Sequence, residues 1–384
     1  MSVTKTTHRI DRKVVQDDVL HVGAPNVGDR AYFNQLVDQM FERRWFTNDG
    51  CVVKELEAKL RSYLGVKHCF AVCNATNGLQ LAYRALNLTG EVIVPSFTFV
   101  ATAHAAQWCG LTPVFADVDR DHHTICPHSI ESLITEETSA IVGVHLWGNP
   151  CDTQAIEDLA RKHGLAVVYD AAHAFACSKD DQMVGNFGDC EVFSFHATKF
   201  FNTFEGGAIT TNSDALAERL ALIKNFGFAG MDTVVDLGTN AKMPEICAAM
   251  GLSLLPCLDQ LLERNRHNHQ LYRAHLDGIP GLRLLTYDHL QQSNWQYVVI
   301  EIDESRFRAS RDGLVAQLHA QQIRARRYFY PGCHRMEPYR SMARNQNLTL
   351  PHTETLCNRV VCLPTGSAID ESDIERVCRV IRGY

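Results

Sequence analysis

Val167-Val168-Tyr169-Asp170-Ala171-Ala172-His173 is a short apolar run that ends in a carboxylate and two small residues. A continuous apolar run of strand length, rich in β-branched and aromatic residues, describes a strand covered on both faces. An acid at its end costs burial energy unless a cation meets it. Open α/β sheets bind their ligands where strands end. Working outward, runs of the same kind occupy 68–73, 91–94, 113–118, 140–145 and 191–195, separated by helical patterns or turn residues. Val53, Leu56, Leu60 and Leu64 recur at helical spacing, and Gly65 follows as a C-cap. The expected fold is α/β, with a mostly parallel central sheet flanked by helices.

Residues 264–272 read as a helix leading out of that layer, 296–302 alternate as a strand, and 313–321 return to helical spacing. A smaller C-terminal α+β domain is expected there. The first forty-odd residues show no clear period and are expected to wrap the surface or join the second domain. The expected division is an N-terminal segment 1–25, a large domain 26–264 and a small domain 265–384.

A chain of 384 residues with 46% hydrophobic composition can bury a large core. Its formal net charge of -7 argues against nucleic acid or an anionic membrane surface as partner, because both need a basic surplus. Residues 1–9 have no apolar stretch behind their basic residues, and no apolar run reaches spanning length, so a cytoplasmic protein is expected. The 14 cysteines form no Cys-x-x-Cys pair, which predicts neither disulfides nor a metal site. Cys69 and Cys73 are expected as small buried hydrophobes on one side of a strand.

Two further clusters sit beside strand ends. In Phe193-Ser194-Phe195-His196-Ala197-Thr198-Lys199, with Gly206-Gly207 following, a lysine lies just past a buried strand. Partial desolvation there lowers an amine's pKa and frees it to attack a carbonyl. Asn74-Ala75-Thr76-Asn77-Gly78 opens a helix, whose free N–H groups suit a phosphate. Singly, each has an ordinary reading: Asp170 as a helix cap, Lys199 as a solvated surface lysine, 74–78 as a capped turn. Together, an acid for a pyridine nitrogen, a lysine for an aldehyde and a helix start for a phosphate describe a pyridoxal 5'-phosphate site.

With these segments the chain resembles the DegT/DnrJ/EryC1/StrS sugar aminotransferases, which have the aspartate-aminotransferase-like fold (fold type I) of pyridoxal-phosphate enzymes. The resemblance is also carried by Trp45-Phe46-Thr47-Asn48-Asp49-Gly50, Pro95-Ser96-Phe97-Thr98-Phe99-Val100-Ala101-Thr102 and Gly238-Thr239-Asn240-Ala241-Lys242-Met243. It implies that Lys199 carries the cofactor and shuttles a proton, and that Asp170 pairs with the protonated ring nitrogen. It implies that Phe99 stacks on the ring and that Thr76, the Asn77 backbone and Ser194 hold the phosphate. By the same resemblance, Asn240 reaches the phosphate of a partner subunit, which implies a homodimer with shared sites. His173 stands where many relatives carry glutamine, near the cofactor's phenolic oxygen. An interior histidine with satisfied hydrogen bonds is its alternative.

The resemblance further implies L-glutamate as amino donor and a keto-deoxyhexose of a nucleotide sugar as acceptor. Arg327, Tyr328 and His334 are the candidate substrate contacts, in a segment where Gly332-Cys333 alters the family spacing. The run from Lys224 through Met243 is most similar to members that aminate the fourth carbon of a dTDP-4-keto-6-deoxyhexose. Amination at the third carbon and a sugar dehydratase are alternatives, the latter disfavoured because a lysine stands at 199. A non-catalytic regulator on the same fold is a further alternative, against which a complete Asp170 and Lys199 set speaks. No Gly-x-Gly-x-x-Gly follows the first strand to suggest a nicotinamide enzyme.

Overall fold

The computed structural model describes residues 18–286 and 292–383. In chain order the elements are β1 Leu20–His21, α1 Arg30–Arg43, α2 Cys51–Leu64, β2 His68–Val72, α3 Ala75–Ala85, β3 Glu91–Pro95, α4 Ala101–Trp108 and β4 Thr112–Ala116. There follow α5 Pro127–Leu133, β5 Thr138–Val144, α6 Thr153–His163, β6 Ala166–Asp170, β7 Ser178–Lys179, β8 Gln182–Met183, β9 Cys190–Ser194, β10 Gly207–Thr211 and α7 Asp214–Ile223. The remainder is α8 Glu245–Leu254, α9 Leu258–Leu276, β11 Leu282–Leu284, β12 Val298–Ile302, α10 Arg311–Ala320, β13 Ile323–Arg324, α11 Pro351–Arg359, β14 Val360–Leu363 and α12 Glu371–Arg382.

Seven strands form the central sheet in the order β2-β10-β9-β6-β5-β3-β4. All run parallel except β10, which is antiparallel to both its neighbours. The expected mostly parallel α/β sheet is therefore present, and 207–211 adds a strand that was not expected. Antiparallel neighbours need no crossover helix. The connection from β9 to β10 is accordingly a loop folded over the strand ends, and Lys199 lies on it. Strand alternation sorts the core: Val168 packs with Val192 and Ile209 beneath α3, while Val167 and Tyr169 pack with Ile93, Ile141 and Ile156 on the opposite face.

The period over 53–64 matches α2, which ends on Gly65 in the left-handed conformation (φ +68°). Its N-terminus is closed from a distance. Buried Glu245 accepts the Val52 and Val53 N–H groups at 3.0 and 3.1 Å, replacing the cap that Gly50 cannot supply. The expectation of no period in the first forty-odd residues misses α1. That helix buries only Leu36 and Met40 fully, so its apolar stripe is thin.

The expected strand and helix at 296–302 and 313–321 appear as β12 and α10. β11, β12 and β14 form an antiparallel sheet whose core, including Tyr272, Val298, Ile300, Leu314 and Val377, is separate from that of the large sheet. β1 pairs in parallel with β13, so of the two expectations for the N-terminal residues, wrapping the surface or joining this part, 20–21 follow the second. The reading of residues 1–9 lies outside the described residues.

One apolar stretch is longer than the sequence reading allowed. Glu245–Leu276 is a near-continuous helical run containing an 18-residue window of mean hydropathy 1.4, of which 61% is buried inside the molecule. Leu252, Leu254, Leu258 and Leu261 supply that hydropathy, and they pack into the core beside α2. All fourteen cysteines are free. Among the described residues no cluster of metal-ligating side chains occurs.

Candidate active site

Three strand ends and a helix start surround a cavity of about 350 Å³, within the range of about 300–1,000 Å³ usual for small-molecule sites. Asp170 and Lys199 both line it, with Thr76, Phe99, His173 and Ser194. Asp170 ends β6, Ser194 ends β9, and Thr76 lies in the first turn of α3. The sheet topology thus joins residues far apart in sequence.

Burial brings the Lys199 amine down from 10.5 to about 8, against the opposing pull of the Asp170 charge. Asp170 is 6% exposed. Burial raises its pKa, while a hydrogen bond from the Thr102 hydroxyl, one from the Ala172 N–H and the nearby Lys199 work in the other direction. The result is an acid and an amine whose charges depend on each other, both lining one cavity.

His173 is held well below its ordinary pKa by burial and by Lys199. The Trp147 N–H donates to its Nδ1 at 3.3 Å, so the proton of the neutral ring sits on Nε2. Its ring stacks on Phe329 (centroids 5.8 Å apart, planes at 9°). Asn294 donates to the carbonyls of His173 and Phe175, and the Gln296 side chain accepts the N–H of Phe200, next to Lys199. These two polar residues just before β12 fix both active loops. Their buried amides sit in Gln292-Ser293-Asn294-Trp295-Gln296, a polar run ahead of an apolar strand, and that run was the available signal.

At the α3 N-terminus the Asn74 side chain accepts the Asn77 N–H at 2.8 Å. Asn77 does not line the cavity, and its amide donates to Cys73 Sγ at 2.9 Å. Ala75 and Thr76, whose N–H groups precede the first intrahelical bond, are the cavity-lining residues of that turn. Cys69 is buried as expected, whereas Cys73 lies past the strand and is only half-buried. A Cβ at Gly207 would stand 2.6 Å from the Phe193 carbonyl oxygen and 2.9 Å from the Ala75 nitrogen. Only a glycine lets β10 run this close under the helix start.

The donor set fits an aldehyde-bearing pyridine phosphate: an amine of lowered pKa, a buried carboxylate, a ring-sized space beside Phe99 and Phe329, and a helix N-terminus. The substrate candidates separate. Tyr328 lines the cavity. Arg327 lies outside it, paired with Asp312 at 3.0 Å and stacked over Tyr330. His334 is fully buried between Ser96 (2.6 Å) and Glu354 (3.2 Å), so the structure gives it an interior packing place away from the cavity. Arg326, which the sequence reading passed over, lines the cavity and stacks over Tyr328 at 5.0 Å. Asn240 is exposed and away from the cavity, in a surface band with Phe226, Met231 and Leu237.

Known proteins bear on this geometry. The chain is 40% identical over 363 residues to a dTDP-4-amino-4,6-dideoxy-D-glucose transaminase of Shigella dysenteriae, covering 94% of this chain and 98% of the relative. It is 36% identical over 372 residues to an enzyme of the same name from Escherichia coli, covering 96% and 100%. Among solved structures, DesI in the presence of its TDP-sugar product superposes with a TM-score of 0.91 at 47% identity, covering 95% of this chain and 93% of DesI. The model of the DegT/DnrJ/EryC1/StrS aminotransferase family matches residues 28–382. The chain therefore belongs to the DegT/DnrJ/EryC1/StrS aminotransferase family and is a transaminase of the pyridoxal-phosphate-dependent kind.

Proposed function

We propose that the protein binds pyridoxal 5'-phosphate on Lys199 and transfers the amino group of L-glutamate to the fourth carbon of a dTDP-linked 4-keto-6-deoxyhexose. The convergence of Lys199 and Asp170 on one cavity carries the reading, and the dTDP-4-amino-4,6-dideoxy-D-glucose transaminases among the relatives support the sugar. When bound, the cofactor supplies an aldehyde for nitrogen and a ring that draws electrons from the reacting carbon.

The residues then have definite tasks. Lys199 Nζ takes the proton from one carbon and returns it to another, which requires an amine that is partly neutral near neutral pH. Asp170, buried at the end of β6, would pair with the ring nitrogen and keep it protonated. His173, held neutral by burial and by Lys199 and with its proton on Nε2, would donate to the phenolic oxygen. Phe99 covers a ring face. The phosphate is held by the Thr76 side chain, the Ser194 hydroxyl and the Ala75 and Thr76 N–H groups. The last two replace the Asn77 backbone, whose N–H Asn74 already occupies.

For the nucleotide sugar we assign the diphosphate to Arg326, which lines both the cavity and the adjoining groove beside α10, with Tyr328. Arg327, tied to Asp312, shapes that groove's far wall. The exposed band of Phe226, Phe228, Met231 and Leu237 suits a second copy of the chain, which would bring Asn240 to the partner's phosphate site. We also propose a cytoplasmic location and the division into 1–25, 26–264 and 265–384, with α9 spanning the passage from large to small domain.

The test is a screen of purified protein with glutamate against keto-sugar nucleotides differing in ketone position, read by product mass and NMR. Amination of the dTDP-4-keto sugar is expected. Turnover confined to a 3-keto sugar, or loss of the hydroxyl with no amine gained, would replace this reading.

A further inference from the structure

Asp170 holds one donor on each carboxylate oxygen. The Ala172 N–H reaches Oδ1 at 3.1 Å, and the Thr102 hydroxyl reaches Oδ2 at 2.8 Å. Thr102 is fully buried in the first turn of α4. A threonine so placed often bonds only a carbonyl of the preceding turn, a local habit of helices. Here the Phe99 carbonyl is indeed near, but at 3.2 Å it is farther than the carboxylate, which arrives from 68 residues away. Charge-assisted hydrogen bonds are the stronger kind, so an ionised Asp170 accepts the Thr102 hydrogen bond in preference to the carbonyl.

The third neighbour of that hydroxyl is the Thr98 hydroxyl, at 3.1 Å. One hydroxyl has one proton and two lone pairs. With Asp170 ionised, Thr98 donates to Thr102 and Thr102 donates to Oδ2, each bond polarising the next. With Asp170 protonated, the carboxyl O–H donates to Thr102, and Thr102 turns its proton to the Phe99 carbonyl. The same heavy-atom positions satisfy both states.

We propose that Thr102 is a positioning residue for Asp170: its hydroxyl orients the carboxylate toward the cofactor's ring nitrogen and favours its ionised form. This rests on the transaminase reading above. Without that hydrogen bond the buried carboxylate loses one of the two donors that offset its desolvation, and its hold on the ring proton weakens.

The experiment compares wild-type, Thr102→Val and Thr102→Ser holoproteins reconstituted with cofactor labelled with nitrogen-15 in the ring. In Thr102→Val, which keeps the side-chain shape, the ring-nitrogen signal is expected to move toward the unprotonated position. The half-reaction with glutamate should slow by about ten- to a hundredfold, the worth of one hydrogen bond to a charged group. Thr102→Ser should restore both. Thr102→Ala, expected to show the same signal shift, stands in if the valine protein does not fold. A wild-type signal and rate in Thr102→Val would overturn the proposal. So would a serine protein as impaired as the valine one, because that result assigns the effect to the lost methyl group. Failure of the underlying transaminase reading is seen separately, as a wild-type protein that takes up no cofactor.

Discussion

In the cofactor-free protein the Lys199 amine should titrate near 8. Burial moves it there from 10.5, against the Asp170 charge. At pH 7 that displacement raises the neutral fraction by about 300-fold over an exposed lysine. Only the neutral amine attacks an aldehyde. The rate at which the apoprotein captures pyridoxal 5'-phosphate should therefore rise about tenfold per pH unit below the midpoint and level off above it. Stopped-flow absorbance measures this, with Lys199→Ala as baseline and borohydride reduction followed by peptide mass analysis locating the attachment. Asp170→Asn removes the charge that raises the amine's pKa, so it should move the midpoint down. A rate that climbs without a break to pH 10, or a midpoint that moves up in Asp170→Asn, would refute the reasoning. Stability carries the same sign. The folded pKa lies below the unfolded one, so the unfolded chain holds more protons between about 8 and 10.5, and the apoprotein gains stability as pH rises through that window.

Asp170→Asn holoprotein should keep cofactor yet lose about a hundredfold or more in amination rate, the scale of removing one preorganised charge contact. Steady-state kinetics with glutamate check it, and an unchanged rate would give the ring nitrogen another partner. Gly207→Ala should raise the cofactor dissociation constant, because the added methyl meets the Ala75 nitrogen at 2.9 Å. Equilibrium dialysis reads this, and wild-type affinity would mean that the helix start is not the phosphate site. Arg326→Gln should raise KM for the nucleotide sugar and spare the half-reaction with glutamate, while Arg327→Gln changes KM little, because Asp312 already engages that guanidinium. The opposite ranking would return the diphosphate to Arg327. Glu245→Ala should cost about 1–3 kcal/mol in a denaturant titration, since it leaves the buried Val52 and Val53 N–H groups without acceptors.

What the sequence alone made legible were features written in consecutive residues. Continuous apolar runs gave six strands of the central sheet, because a strand buried on both faces must be apolar throughout. Asp170 and Lys199 stood out because a charged group at the end of such a run needs a reason to be there. The α1 stripe was too thin to register, and the 207–211 strand was hidden behind the glycine pair.

Tertiary structure decided whatever depends on where a chain segment turns. Arg326 and Arg327 are adjacent and chemically identical, yet the backbone path past β13 sends one to the cavity and the other to Asp312. His334 looked like a ligand contact until the fold enclosed it between Ser96 and Glu354. The Asn77 N–H looked free for a phosphate until the Asn74 side chain closed on it. Composition and period record which groups a chain owns and which of them must leave water. Which neighbour each polar group finds is set by contacts between distant segments, and those exist only once the sheet has brought its strand ends together.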